Sequence, residues 1–139
     1  MPVNDALGTR MKTFYEEIPK TKLMRRTPVA IRIDGKAFHT FTRGLKKPFD
    51  DILEKAMKDT MVHLCENIQG AVLGYTQSDE ITIVLIDYQE ENSDAWLGYN
   101  LQKMASVAAS EATFAFNRAF EQHFNHWRFN MGFPRTENW

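Results

Sequence analysis

The chain has 139 residues, 43% hydrophobic and 25% charged, a composition that excludes wholesale disorder and suits one folded domain. No apolar run approaches the ~20 residues that span a bilayer, and the first residues show no basic segment followed by an apolar core, so a soluble, cytoplasmic chain is expected. The net charge of −1 excludes a uniformly basic nucleic-acid binder but hides an asymmetry: residues 1–47 sum to +7 and residues 48–139 to −8.

Asp5 can cap a short helix over residues 6–17, with Leu7, Met11, Phe14 and Tyr15 along one side. A basic loop follows, with Lys20, Lys22, Arg25 and Arg26; together with Arg43, Lys46 and Lys47 it can meet phosphates or form a solvated surface. Residues 29–33 read as a strand that stops at Asp34-Gly35. Leu53, Met57, Met61, Leu64, Cys65 and Ile68 recur at helical spacing, which predicts a helix over 49–68, ended by Gly70. Residues 71–75 and 81–87 predict a hairpin with 76–80 as its loop. A polar loop, 89–93, precedes a long amphipathic helix over 94–123, with a stripe of Leu97, Leu101, Met104, Ala108, Ala112, Ala115, Ala119 and Phe120. The single cysteine, Cys65, excludes an internal disulfide and a cysteine-based zinc site.

Strand, helix, hairpin, helix follows the ferredoxin-like split βαβ plan, an α+β fold with an antiparallel sheet and helices on one face. In that plan strand 29–33 is central, beside a strand of the hairpin. The plan calls for one more strand after the long helix, and the aromatic, turn-rich tail does not alternate as a strand should. The expectation is one C-terminally truncated domain over 1–139: an N-terminal helix at about 5–17, a core at about 28–123 and a tail at 124–139.

Asp34 lies just past the first strand, and Asp79 and Glu80 lie at the hairpin. In this topology the two sites converge at one edge of the sheet. Carboxylates from neighbouring strands suit Mg²⁺, a hard ion held by one or two carboxylates plus substrate phosphates. Two such ions can activate an attacking oxygen and steady a leaving one. Gly35 lets backbone come close to a ligand. Taken singly, Asp-Gly after a strand also reads as a turn, and Asp-Glu in a hairpin as a polar tip. His123 and His126, three apart, read as a helix end more readily than as a metal pair. Phe114, Phe116 and Phe120 read as core or interface more readily than as a base-stacking platform.

Four strings sharpen this. Residues 32–41, Arg-Ile-Asp-Gly-Lys-Ala-Phe-His-Thr-Phe, resemble the signature of the tRNA-His guanylyltransferase family and its Thg1-like subgroup. Lys47-Pro48-Phe49-Asp50 resembles that family's Lys-Pro-x-Asp element. Residues 74–80, Gly-Tyr-Thr-Gln-Ser-Asp-Glu, match its second signature, and residues 7–12, Leu-Gly-Thr-Arg-Met-Lys, resemble the start of the Thg1-like members. Order and spacing agree over about residues 5–120.

The resemblance implies a polymerase-palm domain that adds nucleotides to the 5′ end of tRNA or other RNA in the 3′–5′ direction, as tRNA repair or tRNA-His guanylylation. ATP or GTP activates the 5′ end, and the 3′-hydroxyl of an incoming nucleotide attacks it. By position, Asp34, the Gly35 carbonyl and Asp79 would bind two Mg²⁺ ions, with Glu80 supporting them. Lys47 and Ser78 would contact the triphosphate, backbone across Gly35, Lys36, Ala37, Phe38 and His39 would cradle it, and Asp50 would lie near the base. His39 also reads as a partly buried, hydrogen-bonding histidine. A homo-oligomer, dimer or tetramer, is implied as well.

Members are longer than this chain. Their Phe-Asp-x-Arg strand and later helical motifs are not found here, and His126 and Asn130 are one residue too far apart for the His-x-x-Asn element of dedicated tRNA-His enzymes. That favours the Thg1-like repair subgroup. Two competing readings remain. One is a palm-type nucleotide cyclase, opposed by a Gln-Ser-Asp-Glu hairpin where diguanylate cyclases need Gly-Gly-Asp/Glu-Glu-Phe. The other is a catalytically silent RNA-binding or assembly module.

Overall fold

The computed structural model describes residues 5–46 and 50–132. Elements follow in the order α1 (Ala6–Met11, continued by a π-helical stretch, Lys12–Glu16), β1 (Val29–Asp34), α2 (Phe38–Phe41), α3 (Asp51–Asn67), β2 (Ala71–Gln77), β3 (Glu80–Leu85), a 3-10 turn (Trp96–Tyr99) and α4 (Leu101–Asn130). The sheet is antiparallel in the order β1–β3–β2, with α3 and α4 packed on each other across one face. The α+β, split βαβ expectation holds, since β3 sits between β1 and β2. Among the described residues β1 pairs with β3 alone; the further strand that the plan adds after the long helix is not among them.

Alternation along the strands decides which side is buried. Ile81, Ile83 and Leu85 of β3 are fully buried beneath the helices, and Val29, Ile31 and Ile33 of β1 lie beside them. Ala30, Arg32 and Asp34 stand on the open face, opposite Val84, Thr82 and Glu80. α3 and α4 complete the core with Met57, Leu64, Met104, Ala108 and Ala112. Burying a side chain such as Leu64 or Ile83 stabilises the fold by about 1.5–3 kcal/mol. The alanines let α4 lie close to α3 and the sheet. Gly74 serves β2 in the same way: a Cβ there would stand 2.6 Å from Cys65 Sγ and 2.9 Å from Met61 Cγ on α3.

Local chemistry sets the helix ends. Asp5 accepts a hydrogen bond from the Gly8 N–H at 2.8 Å, as a cap should. Leu7, Met11, Phe14 and Tyr15 are all exposed. Asp50 caps α3 through the N–H groups of Ile52 and Leu53 at 3.0 and 3.1 Å; Phe49, expected to open this helix, lies outside the described residues. The hairpin loop is two residues, Ser78-Asp79, rather than five, because Gln77 and Glu80 still pair.

The long helix starts and ends seven residues later than expected. Leu97, Gly98 and Tyr99 adopt positive φ, which breaks helix before Asn100, whose side chain caps α4 through the Lys103 N–H at 3.2 Å. Leu97 and Leu101 therefore stand exposed instead of joining the buried stripe. Residues 124–130, expected as tail, continue the helix, because Phe120, Phe124 and Trp127 stack along it. Among the described residues no helix is long and apolar enough to cross a membrane.

Candidate active site at the β1 and hairpin junction

Register builds the site. Asp34, the last residue of β1, is paired with Glu80, the first of β3, so the chain leaving β1 meets the Ser78-Asp79 turn. The Gly35 N–H donates to the Asp79 carbonyl at 3.0 Å and locks the two signatures together. Arg32, two residues before Asp34 on the open face, forms an ion pair with Glu80. The Glu80 carboxylate beside it, and to a lesser degree Asp34, hold the Arg32 guanidinium above its usual pKa. Glu80 therefore ties the hairpin to β1. Among the described residues the Asp34 carboxylate has neither a hydrogen bond nor an ion pair. The Asp79 carboxylate accepts, among the described residues, only from the neighbouring Ser78 hydroxyl, at 3.2 Å.

Backbone strain marks both walls. Ala37 enters α2 at φ 53° and Ser78 turns the hairpin at φ 56°. Left-handed backbone costs a non-glycine residue about 1–3 kcal/mol and persists only where surroundings enforce it. Gly35 has a packing reason of its own: a Cβ there would lie 2.3 Å from Phe38 Cδ2. The Phe38 ring beside Gly35 also packs on Phe41 and Phe116 at 5.3 and 5.2 Å.

A polar cavity of about 500 Å³ opens here. Asp34, Gly35, Phe38, His39, Asp50, Ser78 and Asp79 line it, so seven of the sequence-derived site residues meet on one cavity. Thr42 and Lys46 also line it and had no place in the motifs; Lys46 comes in because its N–H donates to Asp50 Oδ2 at 3.2 Å. His39 is exposed and makes no hydrogen bond among the described residues, which removes the partly buried, hydrogen-bonded alternative. A second cavity of about 430 Å³, mostly apolar, shares Asp34, Gly35, Phe38 and Asp79 as a common wall, and Lys36 lies on it. Ala37 lines neither, and Lys47 lies outside the described residues.

Among the described residues no group of three or more His, Cys, Asp or Glu side chains forms a closed metal cage. Two uncommitted carboxylates and a backbone carbonyl suit an ion that fills its remaining positions with water and phosphate, as Mg²⁺ does. Other titratable side chains are occupied elsewhere. His123 meets Asp59 at 2.6 Å, His63 meets Glu111 at 2.9 Å, and His126 contacts Asn130, so His123 and His126 do not act as a pair. Burial, then the Glu66 charge, push the Cys65 thiol up, away from nucleophilic reactivity. Phe116 and Phe120 stack in a row with Phe38 and Phe41, while Phe114 points to solvent.

The family model described as tRNAHis guanylyltransferase (Thg1) matches residues 8–136. Among solved structures, a bacterial tRNA(His) guanylyltransferase (Thg1)-like protein in complex with GTP is 48% identical, with a TM-score of 0.77, over 84% of this chain and 55% of that one. A structure of such a bacterial protein in complex with ATP is 46% identical, with a TM-score of 0.78, over 86% and 52%. An uncharacterized protein, R259, of Acanthamoeba polyphaga mimivirus is 32% identical over 85% of this chain and 42% of its own length. The chain thus spans about half the length of the relatives it matches. Its palm-like fold is the one those structures share, and the chain belongs to the tRNA-His guanylyltransferase (Thg1) family.

Proposed function

We propose that this chain carries the nucleotidyl-transfer site of an enzyme that adds nucleotides to the 5′ end of tRNA in the 3′–5′ direction, with ATP and GTP as substrates and Mg²⁺ as cofactor. The observation that carries this reading is the meeting of Asp34, Gly35, Ser78 and Asp79 on one polar cavity through a direct backbone bond. GTP and ATP in the matched bacterial structures support nucleotide binding at the same fold.

Asp34, Asp79 and the Gly35 carbonyl are the groups that hold Mg²⁺. When bound, the metal supplies activation of an attacking hydroxyl and charge neutralisation on a departing phosphate. The chain does the rest. Arg32 and Glu80 hold the hairpin against β1, so Asp79 stays beside Asp34. Ser78 and Lys47 contact the triphosphate, and exposed His39 and Lys46 add donors at the cavity wall. Asp50 keeps Oδ1 on the α3 cap and accepts the Lys46 N–H on Oδ2, and from its place on the cavity wall it would lie near the base. Of the basic residues of 20–47, Arg25 and Arg26 are spent on Asp87 and Glu91 at the other end of the sheet, which leaves Lys46 on the cavity wall, with its sequence neighbours Arg43 and Lys47, to meet the phosphates of the RNA.

The test is incubation of the chain with a 5′-truncated tRNA, ATP, labelled GTP and Mg²⁺, followed by sequencing of the product 5′ ends. Mg²⁺-dependent extension that disappears in Asp79→Ala is expected. Unchanged extension in Asp79→Ala overturns the site. Nucleotide binding with no 5′ addition supports the silent binding module instead.

A further inference from the structure

α3 and α4 both pack on one face of the sheet, and the split βαβ plan puts its helices on that face alone. Strand pairing orders the opposite face into three rows. Asp34, Glu80 and Gln77 form the row at the candidate site. Arg32, Thr82 and Tyr75 form the next, and Ala30, Val84 and Leu73 the third. Rows lie about 7 Å apart and strands about 4.8 Å apart, which sets Tyr75 roughly 12 Å from Asp34 across the face. Carboxylates thus give way to a cation and a ring, and these to an apolar floor.

Tyr75 is exposed but not loose. It is 57% exposed, yet its hydroxyl donates to Gln77 Oε1 at 3.0 Å, which leans the ring along β2 toward the row of carboxylates. A ring held in this way offers a large contact area and loses little freedom when a flat group stacks on it. Leu73, exposed beside it, and Val84 extend the apolar area. The Arg32 side chain, 63% exposed, stays charged beside Glu80 in the same row as Tyr75. A nucleobase with its phosphate matches this set, because every base has a π-face for the ring and the phosphate has a cation and a metal site to meet. Aromatic side chains on a sheet face hold the unpaired bases of RNA in this manner.

We propose that Tyr75 is the platform on which the 5′-terminal base of the RNA stacks, so that its phosphate comes to the carboxylates at the end of the sheet, a role that rests on the 5′-addition reading. Tyr75 touches the base and not the reacting atoms. It sets how well the RNA end is held and leaves the hold on the incoming triphosphate, in the cavity on the other side of Asp34, unchanged.

Fluorescence of a 5′-truncated tRNA with 2-aminopurine as its 5′-terminal base tests it, because stacking quenches that base with no chemistry taking place. The parent chain should quench it. Tyr75→Phe keeps the ring and should quench it as well, whereas Tyr75→Ile keeps strand propensity and apolar area but no π-face and should not. Tyr75→Ile should also raise KM for the RNA in 5′ addition by about fivefold to a hundredfold, with KM for GTP and the melting temperature unchanged. Full quenching in Tyr75→Ile overturns the proposal, and if the parent chain still adds nucleotides the Asp34–Asp79 site stands. Quenching by a parent chain that adds no nucleotide does the reverse: the platform stands and the catalytic reading falls. A parent chain that binds no RNA overturns the proposal. A Tyr75→Ile variant altered in oligomeric state alone overturns it too and gives the face to a second copy of the chain.

Discussion

Compare the two ends of the sheet. Each has a carboxylate just past a β3 terminus, Asp79 before it and Asp87 after it, and each has left-handed backbone nearby: Ala37 and Ser78 at one end, Arg26, Leu97 and Tyr99 at the other. Asp87 is fully buried and committed. It pairs with Arg25 and accepts the Arg26 N–H at 2.9 Å, while the Arg25 guanidinium also reaches the Ser93 carbonyl at 3.0 Å. Burial alone would raise the Asp87 pKa, but Arg25 and the Arg26 N–H outweigh it and hold the carboxyl below its usual range. Tyr99 lies beside it with a buried hydroxyl that has no hydrogen-bond partner among the described residues, and burial, then the Asp87 charge, push that phenol up. Asp34 and Asp79 are the opposite case, lining an open cavity with little to hold them. The same side-chain type is spent on stability at one end and kept uncommitted for a ligand at the other.

The largest expected effects separate the two. Asp79→Ala should cut 5′ addition by at least about a hundredfold, more than is typical for a residue that only supports a metal ligand, and leave the melting temperature nearly unchanged. Asp87→Ala should do the reverse: a fall of several degrees in melting temperature, with nucleotide affinity per folded molecule preserved. Equal stability losses at both positions would erase the contrast. Lys47→Ala should weaken triphosphate binding by about 1.5–3 kcal/mol, roughly ten- to a hundredfold, without shifting the melt, as calorimetry on folded protein can show.

Two glycines sharpen the comparison further. Gly35→Ala drives a Cβ into the Phe38 ring and Gly74→Ala drives one against Cys65 and Met61, and overpacking of this kind costs about 1–3 kcal/mol. Denaturant melts should show both losses, but only Gly35→Ala should also weaken nucleotide binding, because Phe38 lines the cavity.

Asp50 belongs to both worlds. Asp50→Ala should lose about 1 kcal/mol with the α3 cap, whereas Asp50→Asn keeps the cap and isolates any contact with the base. An Asn variant with wild-type affinity would leave Asp50 as a cap alone.

The smallest effect is in acid. A carboxylate whose folded pKa is depressed adds stability above its unfolded value, about 3.9, and that stability is lost as pH falls through the folded pKa. Acid unfolding should therefore be less steep in Asp87→Asn than in the parent chain, as denaturant melts across the acid range can show.

Much of the fold was legible because it rests on local regularities. Alternation named β1 and β3, helical spacing named α3, and Asp5 capped the helix it was expected to cap. The candidate site was legible as motifs, and their meeting followed from the strand order. What failed depended on backbone conformation and on contacts distant in sequence. The start of α4 moved because Leu97 and Tyr99 take positive φ, which hydrophobic periodicity does not encode. Its end moved because stacked rings carry the helix through residues that read as a tail.

By itself the sequence determined the element types, the acidic and basic strings and their order along the chain, since periodicity and turn chemistry act over a few residues. Only the tertiary structure decided that β3 lies between β1 and β2, that the Phe38 ring packs where a Gly35 Cβ would stand, and that Asp87 is buried against Arg25 sixty-two residues away. Those outcomes turn on which surfaces face each other once the chain has closed. Pairing and packing between distant segments set that, and no window along the sequence contains both partners.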